Sequence, residues 1–242
     1  MDRVRKSVVL ALVLALGMIV SAALLSRLFV RVKQVHGITV KGYAEKRVVS
    51  DLGTFRCSFS ARRPGMKQAY EELERARAAV LAYLTEQGFE PGEIDVLTID
   101  TTELYRRDEE GRKTNEVEFY RVGQSVRVTS GNVELIRIAS QKITELIRDG
   151  LDIYSGSPSF YVSDLDEIKK DLLARATRNG YERARILAGG GRGRVGSLTR
   201  AVQGVFQITS PHSTETSGYG IYDTSTIEKS VKAVVTLEYR VR

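Results

Sequence analysis

From Ser7 to Ser26 the chain runs for 20 residues without a charged side chain, SVVLALVLALGMIVSAALLS. As a helix rising 1.5 Å per residue, such a run covers about 30 Å, the thickness of a bilayer's hydrocarbon. A helix of a soluble domain needs only one apolar face, whereas this run is apolar on every side. Arg3, Arg5 and Lys6 precede it, as in an export signal. The pattern predicts an N-terminal transmembrane helix, with residues 1–33 as a signal-anchor and residues 34–242 as the body. Ser21-Ala22-Ala23 offers small residues to a signal peptidase, and cleavage is the alternative. Leu24, Leu25, Leu28, Phe29 and Val30 prolong the run beyond the usual cleavable core of about 7–15 residues, which favours an anchor that stays.

Orientation follows less directly, because Arg27, Arg31 and Lys33 flank the far end as well. The short N-terminal tail favours N-inside, placing the body on the extracytoplasmic, periplasmic side of the inner membrane. The opposite placement, with residues 34–242 in the cytoplasm, is the rival. The same segment explains most of the net charge of +7: residues 1–33 carry six of the 37 basic residues and one of the 30 acidic ones, leaving the body at +2. A nucleic-acid surface concentrates its basic residues in the folded part, so no nucleic-acid partner is expected. Cys57 is the single cysteine, which excludes an intramolecular disulfide.

The body alternates between the two periods that mark strands and helices. Ile38, Val40, Gly42 and Ala44 alternate with Thr39, Lys41, Tyr43 and Glu45, a strand. After a turn at Ser50–Gly53, Phe55, Cys57, Phe59 and Ala61 form a second apolar strand face, and Cys57 reads there as a buried small hydrophobe. Pro64-Gly65 ends that strand. Residues 66–87 place Ala69, Leu73, Ala76, Val80 and Leu84 at helical spacing before Gly88. Strands are expected at 94–105 and 117–129, around a charged hairpin tip at 106–116. Asn132 caps a helix bearing Ile136, Ala139, Ile143 and Leu146 that stops at Gly150. A strand at 151–162 leads to Ser163 and Asp166, spaced as a capping box. The helix that follows carries Leu165, Ile168, Leu172, Ala176 and Ala184 and ends at glycines 189–191. Strands at 194–208 and 228–241 enclose a Ser/Thr/Gly-rich loop at 209–225. In order, this is an α+β fold: two βαββ-like units joined by a helix, mainly antiparallel, with helices on one sheet face.

The strings ITVKGYAEKRVVSDLGTFRCSFSARR, VLTIDTTELYRR (with Thr98, Leu104 and Tyr105), FYRVGQSVRVTSGNVE and AVVTLEYRV together resemble the SIMPL domain family over about residues 38–242. Ser50 stands before Asp51 where a proline is common in the family. The resemblance implies a bacterial envelope protein, in some members linked to oxidative-stress tolerance and in some similar to large ring- or channel-like homo-oligomers. The family brings no agreed catalytic residues, so none is carried over. Many members have a cleaved signal peptide, from which the long apolar run departs.

Gly191–Gly196 spells GxGxxG, but it follows a helix and precedes a strand, the reverse of a dinucleotide fingerprint. It reads as a helix stop and turn, with Arg192 and Arg194 as candidate anion contacts. His36 and His212 are the only histidines, one beside the membrane segment and the other in the polar loop. With one cysteine they make no common zinc spacing, and no metal or cofactor is expected. Asp95, Asp100 and Glu103 form a carboxylate cluster on the expected 94–105 strand, read as a solvated face. Tyr219 and Tyr222 flank Gly220 as candidate assembly contacts, or else pack on the sheet. The expectation is a membrane-tethered structural or interaction protein, not an enzyme, that self-assembles through edge strands near 38–45 or 231–241. The alternatives are a module binding a small anion or envelope polymer at the Arg192/Arg194 turn, and an enzyme with an unconventional site. The physiological ligand is left unknown.

Overall fold

The structure, a computed structural model, describes residues 15–22 and 37–242. Residues 15–22 are helical (α1) and exposed. The remainder of the expected Ser7–Ser26 span lies outside the described residues, and among those described no helix is long and apolar enough to cross a membrane. The chain divides into two compact units.

The larger unit comprises Glu45–Leu172 and Val205–Ala233. Its six-stranded sheet consists of β2 (Leu52–Arg63), β3 (Ile94–Val96), β4 (Asp100–Arg107), β5 (Lys113–Ser130), β6 (Asp152–Ser155) and β7 (Ser159–Tyr161). β5 and β2 form the centre, with β3 and β4 in line along the outer edge of β5 and β6 and β7 along that of β2. All of these pairings are antiparallel. Register sets Phe55 opposite Val128, Cys57 opposite Val126 and Ala61 opposite Val122, so one face of the pair is continuously apolar. Helices α2 (Met66–Glu86) and α3 (Val133–Lys142) both close on that face. The five apolar positions of α2 picked out by period are its five buried residues, and Ile136 and Ala139 of α3 and Ile143 beyond it are fully buried in the same core. Asn132 Oδ1 accepts the Leu135 N–H at 3.0 Å, the expected cap, and a 3-10 segment, Ile143–Asp149, carries the chain to Gly150 at φ 84°.

Cys57 is fully buried in the core between sheet and helices, and burial pushes its thiol up to about 12. A thiol that is protonated and covered does not react. Iodoacetamide at pH 8 is therefore expected to leave the native mass unchanged and to add one adduct in urea; an adduct on the folded protein would contradict this packing.

The smaller unit comprises Met1–Ala44, Leu173–Gly204 and Val234–Arg242. Here β11 (Glu228–Val241) lies between β1 (Gly37–Val49) and β8 (Val195–Gln203), and the second half of α4 (Leu165–Gly190) packs on β1 and β11. Close approach is possible because two glycines meet. A Cβ on Gly42 would stand 2.0 Å from the Ala176 carbonyl oxygen and 2.8 Å from the Gly180 nitrogen. Tyr181 meets the Tyr239 ring edge-on at 5.7 Å, and the Tyr43 N–H donates to Asn179 Oδ1 at 3.1 Å.

The α+β class, the order of helices and long strands and the antiparallel sheets agree with the sequence reading, and five expectations are corrected. The halves are not two sequential βαββ units: β6 and β7, which open the second half, pair with β2 of the first. The strand expected at 151–162 is split where Gly156–Pro158 intervenes, since Pro158 has no N–H for the ladder. Similar breaks separate β3 from β4, and β8 from β9 (Gln207–Thr209). The loop expected at 209–225 contains β10 (Ile221–Tyr222), which runs parallel to β9. Ser163 does not form a capping box, because its N–H and Oγ both donate to Asp51 Oδ1, at 2.8 and 3.0 Å. Last, 231–241 is not an edge: β11 has strands on both sides, and β8 takes the edge position opposite β1.

Candidate functional site

Alternation along β2 and β5 gives the six-stranded sheet a second face with a different composition. Where Phe55, Cys57, Phe59 and Ala61 face the helices, Thr54, Arg56, Ser58, Ser60 and Arg62 face away, opposite Thr129, Arg127, Ser125, Gly123 and Arg121. Small polar pairs hold its middle: Ser58 Oγ and Ser125 Oγ are 2.9 Å apart, and Thr129 Oγ1 donates to Thr54 Oγ1 at 3.1 Å. On this side of β2 and β5 a shallow groove of about 270 Å³ lies over Ser58, Ser60, Gly123 and Ser125.

Charged and aromatic side chains border the groove. Asp152 on β6 is opposite Ser60, and Asp100 on β4 is opposite Gly123, so Asp152, Ser60, Gly123 and Asp100 form one row across four strands. Ser60 Oγ donates to Asp152 Oδ2 at 2.5 Å, and Arg121 Nε donates to Ser60 Oγ at 3.4 Å. Tyr154, opposite Ser58, is 71% exposed. Beyond the groove the Arg62 guanidinium lies 4.1 Å over the Phe119 ring, and Arg127 pairs with Asp95 at 3.6 Å. Among the described residues no three His, Cys, Asp or Glu side chains converge as metal ligands would.

A second surface is the edge strand β8. Among the described residues it pairs with β11 alone, with Ala201 opposite Leu237 and Arg200 opposite Glu238, and the register slips toward its Val195 end. Every residue from Ser197 to Gln203 is exposed, including Leu198 and Val202 at 47% and 44%.

The residues singled out from sequence are scattered. Arg192 and Arg194 occupy the exposed turn between α4 and β8, with Arg192 at φ 60°. The amides there are engaged: Arg192 N–H donates to Gly189 O, Gly193 N–H to Ala188 O and Arg194 N–H to Arg242 O. An anion at this turn would therefore meet guanidinium groups without a backbone nest. Tyr219 is 100% exposed, while Tyr222 stacks on Tyr161 with centroids 6.3 Å apart, so the two tyrosines divide between solvent and packing. His212 is exposed at φ 65°, and His36 lies outside the described residues. The carboxylate cluster is corrected. Asp95 is on β3 and pairs with Arg127, Glu103 accepts the Tyr105 hydroxyl, and only Asp100 borders the groove.

Sequence reasoning missed Lys229, which is fully buried. Its Nζ donates to the carbonyl oxygens of Asp223 and Thr226, both at 2.6 Å. Burial pulls the ammonium below its ordinary range, against the opposing pull of Asp223. Burial by itself would raise the Asp223 carboxyl, but donation from Ser225 and Thr226 and the nearby Lys229 charge hold it below its usual range. The signal was faint: EKSVKAVV alternates, but nothing marks which lysine faces inward.

No curated protein matches the chain. The family model named SIMPL, described as a protein of unknown function (DUF541), matches residues 38–239, which include every strand described above except the first residue of β1 and the last two of β11. The chain belongs to the SIMPL family.

Proposed function

We propose that this chain is a non-catalytic interaction protein of the bacterial envelope, tethered by its N-terminal apolar segment with the body outside the cytoplasm. It self-assembles through its edge strands, in a role connected with envelope stress tolerance. The observation carrying this reading is β8. It is nine residues long, exposed on both faces, unpaired along its outer edge among the described residues, and carries two exposed apolar side chains beside a single charge, Arg200. Natural edge strands are usually guarded by lysine, proline or brevity, and β8 has none of these. β1 offers an opposite edge, as strand addition between copies requires. Tethering supports association by confining copies to one surface.

Light scattering of the full-length protein in detergent is expected to give a mass above one chain. Val202→Lys, an exposed position that places a charge on the edge, is expected to shift that mass toward the monomer with an unchanged thermal midpoint. A strictly monomeric wild-type protein would remove the assembly proposal. Intact mass of the membrane-extracted protein tests the tether, since loss of residues through Ala23 would show cleavage.

A further inference from the structure

We propose that the groove on the open face of the six-stranded sheet binds a neutral, hydroxyl-rich saccharide. This inference stands apart from self-assembly and uses none of the same residues.

The floor is built from side chains too small to fill it. Asp100 leans over the glycine: a Cβ at position 123 would stand 3.1 Å from Asp100 Oδ1. Asp152 reaches the floor from the other side through Ser60 Oγ. Two carboxylates thus approach Ser60 and Gly123 from strands on opposite sides of the central pair. They present acceptors, Ser60 both accepts and donates, and Arg121 donates. The Arg121 guanidinium touches Ser60 through Nε and makes no ion pair among the described residues.

The charge balance selects the ligand class. Two carboxylates repel an anion, and the guanidinium among them opposes a cation. A neutral molecule carrying many hydroxyls can donate to Asp100 and Asp152 and accept from Arg121 without burying an unpaired charge. Tyr154 adds an amphipathic ring at the groove's border, 71% exposed. A pyranose presents an apolar face of C–H groups that suits such a ring, and its rim of hydroxyls suits the polar floor. The groove is shallow and polar, unlike the enclosed apolar cavities that hold drug-like ligands. A chain of sugar rings lying along the sheet fits that shape.

The test is calorimetric titration of the full-length protein in detergent with four probes: cellotetraose and chitotetraose as neutral saccharides, inorganic sulfate as the anion and spermidine as the cation. At least one neutral saccharide is expected to bind with a Kd of about 1 mM or tighter. Tyr154→Ala and Asp100→Asn are each expected to weaken it about tenfold, with thermal midpoints unchanged because both side chains are exposed. No heat from either saccharide at about ten times that concentration, binding confined to sulfate or spermidine, or wild-type affinity in either variant would overturn the proposal.

Discussion

Gly42→Ala is expected to destabilise the smaller unit by about 3 kcal/mol or more, the upper end of what overpacking a core costs. A methyl group there would lie 2.0 Å from the Ala176 carbonyl oxygen and 3.0 Å from its carbon. Both are backbone atoms of α4, so no rotamer change relieves the contact; helix and strand have to part, and the Tyr181–Tyr239 and Asn179–Tyr43 contacts part with them. Gly180→Ala, on the facing helix, is expected to cost about 1 kcal/mol or less. Its Cβ meets the movable Leu237 Cδ1 at 2.7 Å, and replacing glycine by alanine inside a helix returns roughly 1 kcal/mol. Gly189→Ala, in the last turn of the same helix with nothing within 4 Å of its Cβ, is the control and is expected to be neutral or to stabilise by up to about 1 kcal/mol. Urea unfolding of the three variants checks the order. Equal stability of Gly42→Ala and the wild type would mean that helix and strand are not this close.

Lys229→Ala is expected to cost about 2–4 kcal/mol, the sum of a cavity and of buried carbonyls left without a donor. The substitution leaves a cavity and removes the donor to the Asp223 and Thr226 carbonyl oxygens. These carbonyls belong to a loop that the structure also pins through Thr224 O, which accepts the Phe160 N–H at 2.8 Å, and Ile227 O, which accepts the Ser50 N–H at 2.9 Å. Loss of Lys229 therefore loosens the ends of β2 and β7 as well. Lys229→Met keeps the bulk without the donor and is expected to lose less.

The two titrating groups act in the alkaline and the acid range, and both make stability rise with pH. The folded Lys229 value lies below the ordinary 10.5, so between the two the unfolded chain holds the extra proton and stability rises with pH. The folded Asp223 value lies below 3.8, so its contribution is present above 3.8 and is lost as pH falls through the folded value. Lys229→Met should abolish the alkaline rise, and chemical denaturation at several pH values would detect its persistence.

Local pattern made much of the fold legible. The five buried residues of α2 could be named in advance because one helix face meets one sheet face, and period 3.6 records that directly. Cys57 between Phe55 and Phe59 shows the same with period 2. The Asn132 cap and the closing strand at 228–241 are likewise local decisions. Ser163 shows where locality fails, since its capping pattern is overridden by the Asp51 carboxylate, 112 residues away in the chain.

Partner choice between strands was not legible. Alternation states which side chains share a face and is silent on which strand lies alongside, so β11 reads as an edge although it has neighbours on both sides. The groove escaped for the same reason. Asp152, Ser60 and Gly123 carry no mark on their own strands, Asp100 reads there only as one of a solvated carboxylate cluster, and the four become a row only through the registers of β6, β2, β5 and β4.

What the amino-acid order by itself determined is whatever depends on near neighbours: apolar faces, helix ends and the buried cysteine. Only the tertiary structure decided that β6 and β7 join β2, that Gly42 meets Gly180, and that one lysine out of many is sealed inside. Those outcomes rest on contacts between residues far apart in the chain, and such contacts leave no period behind them.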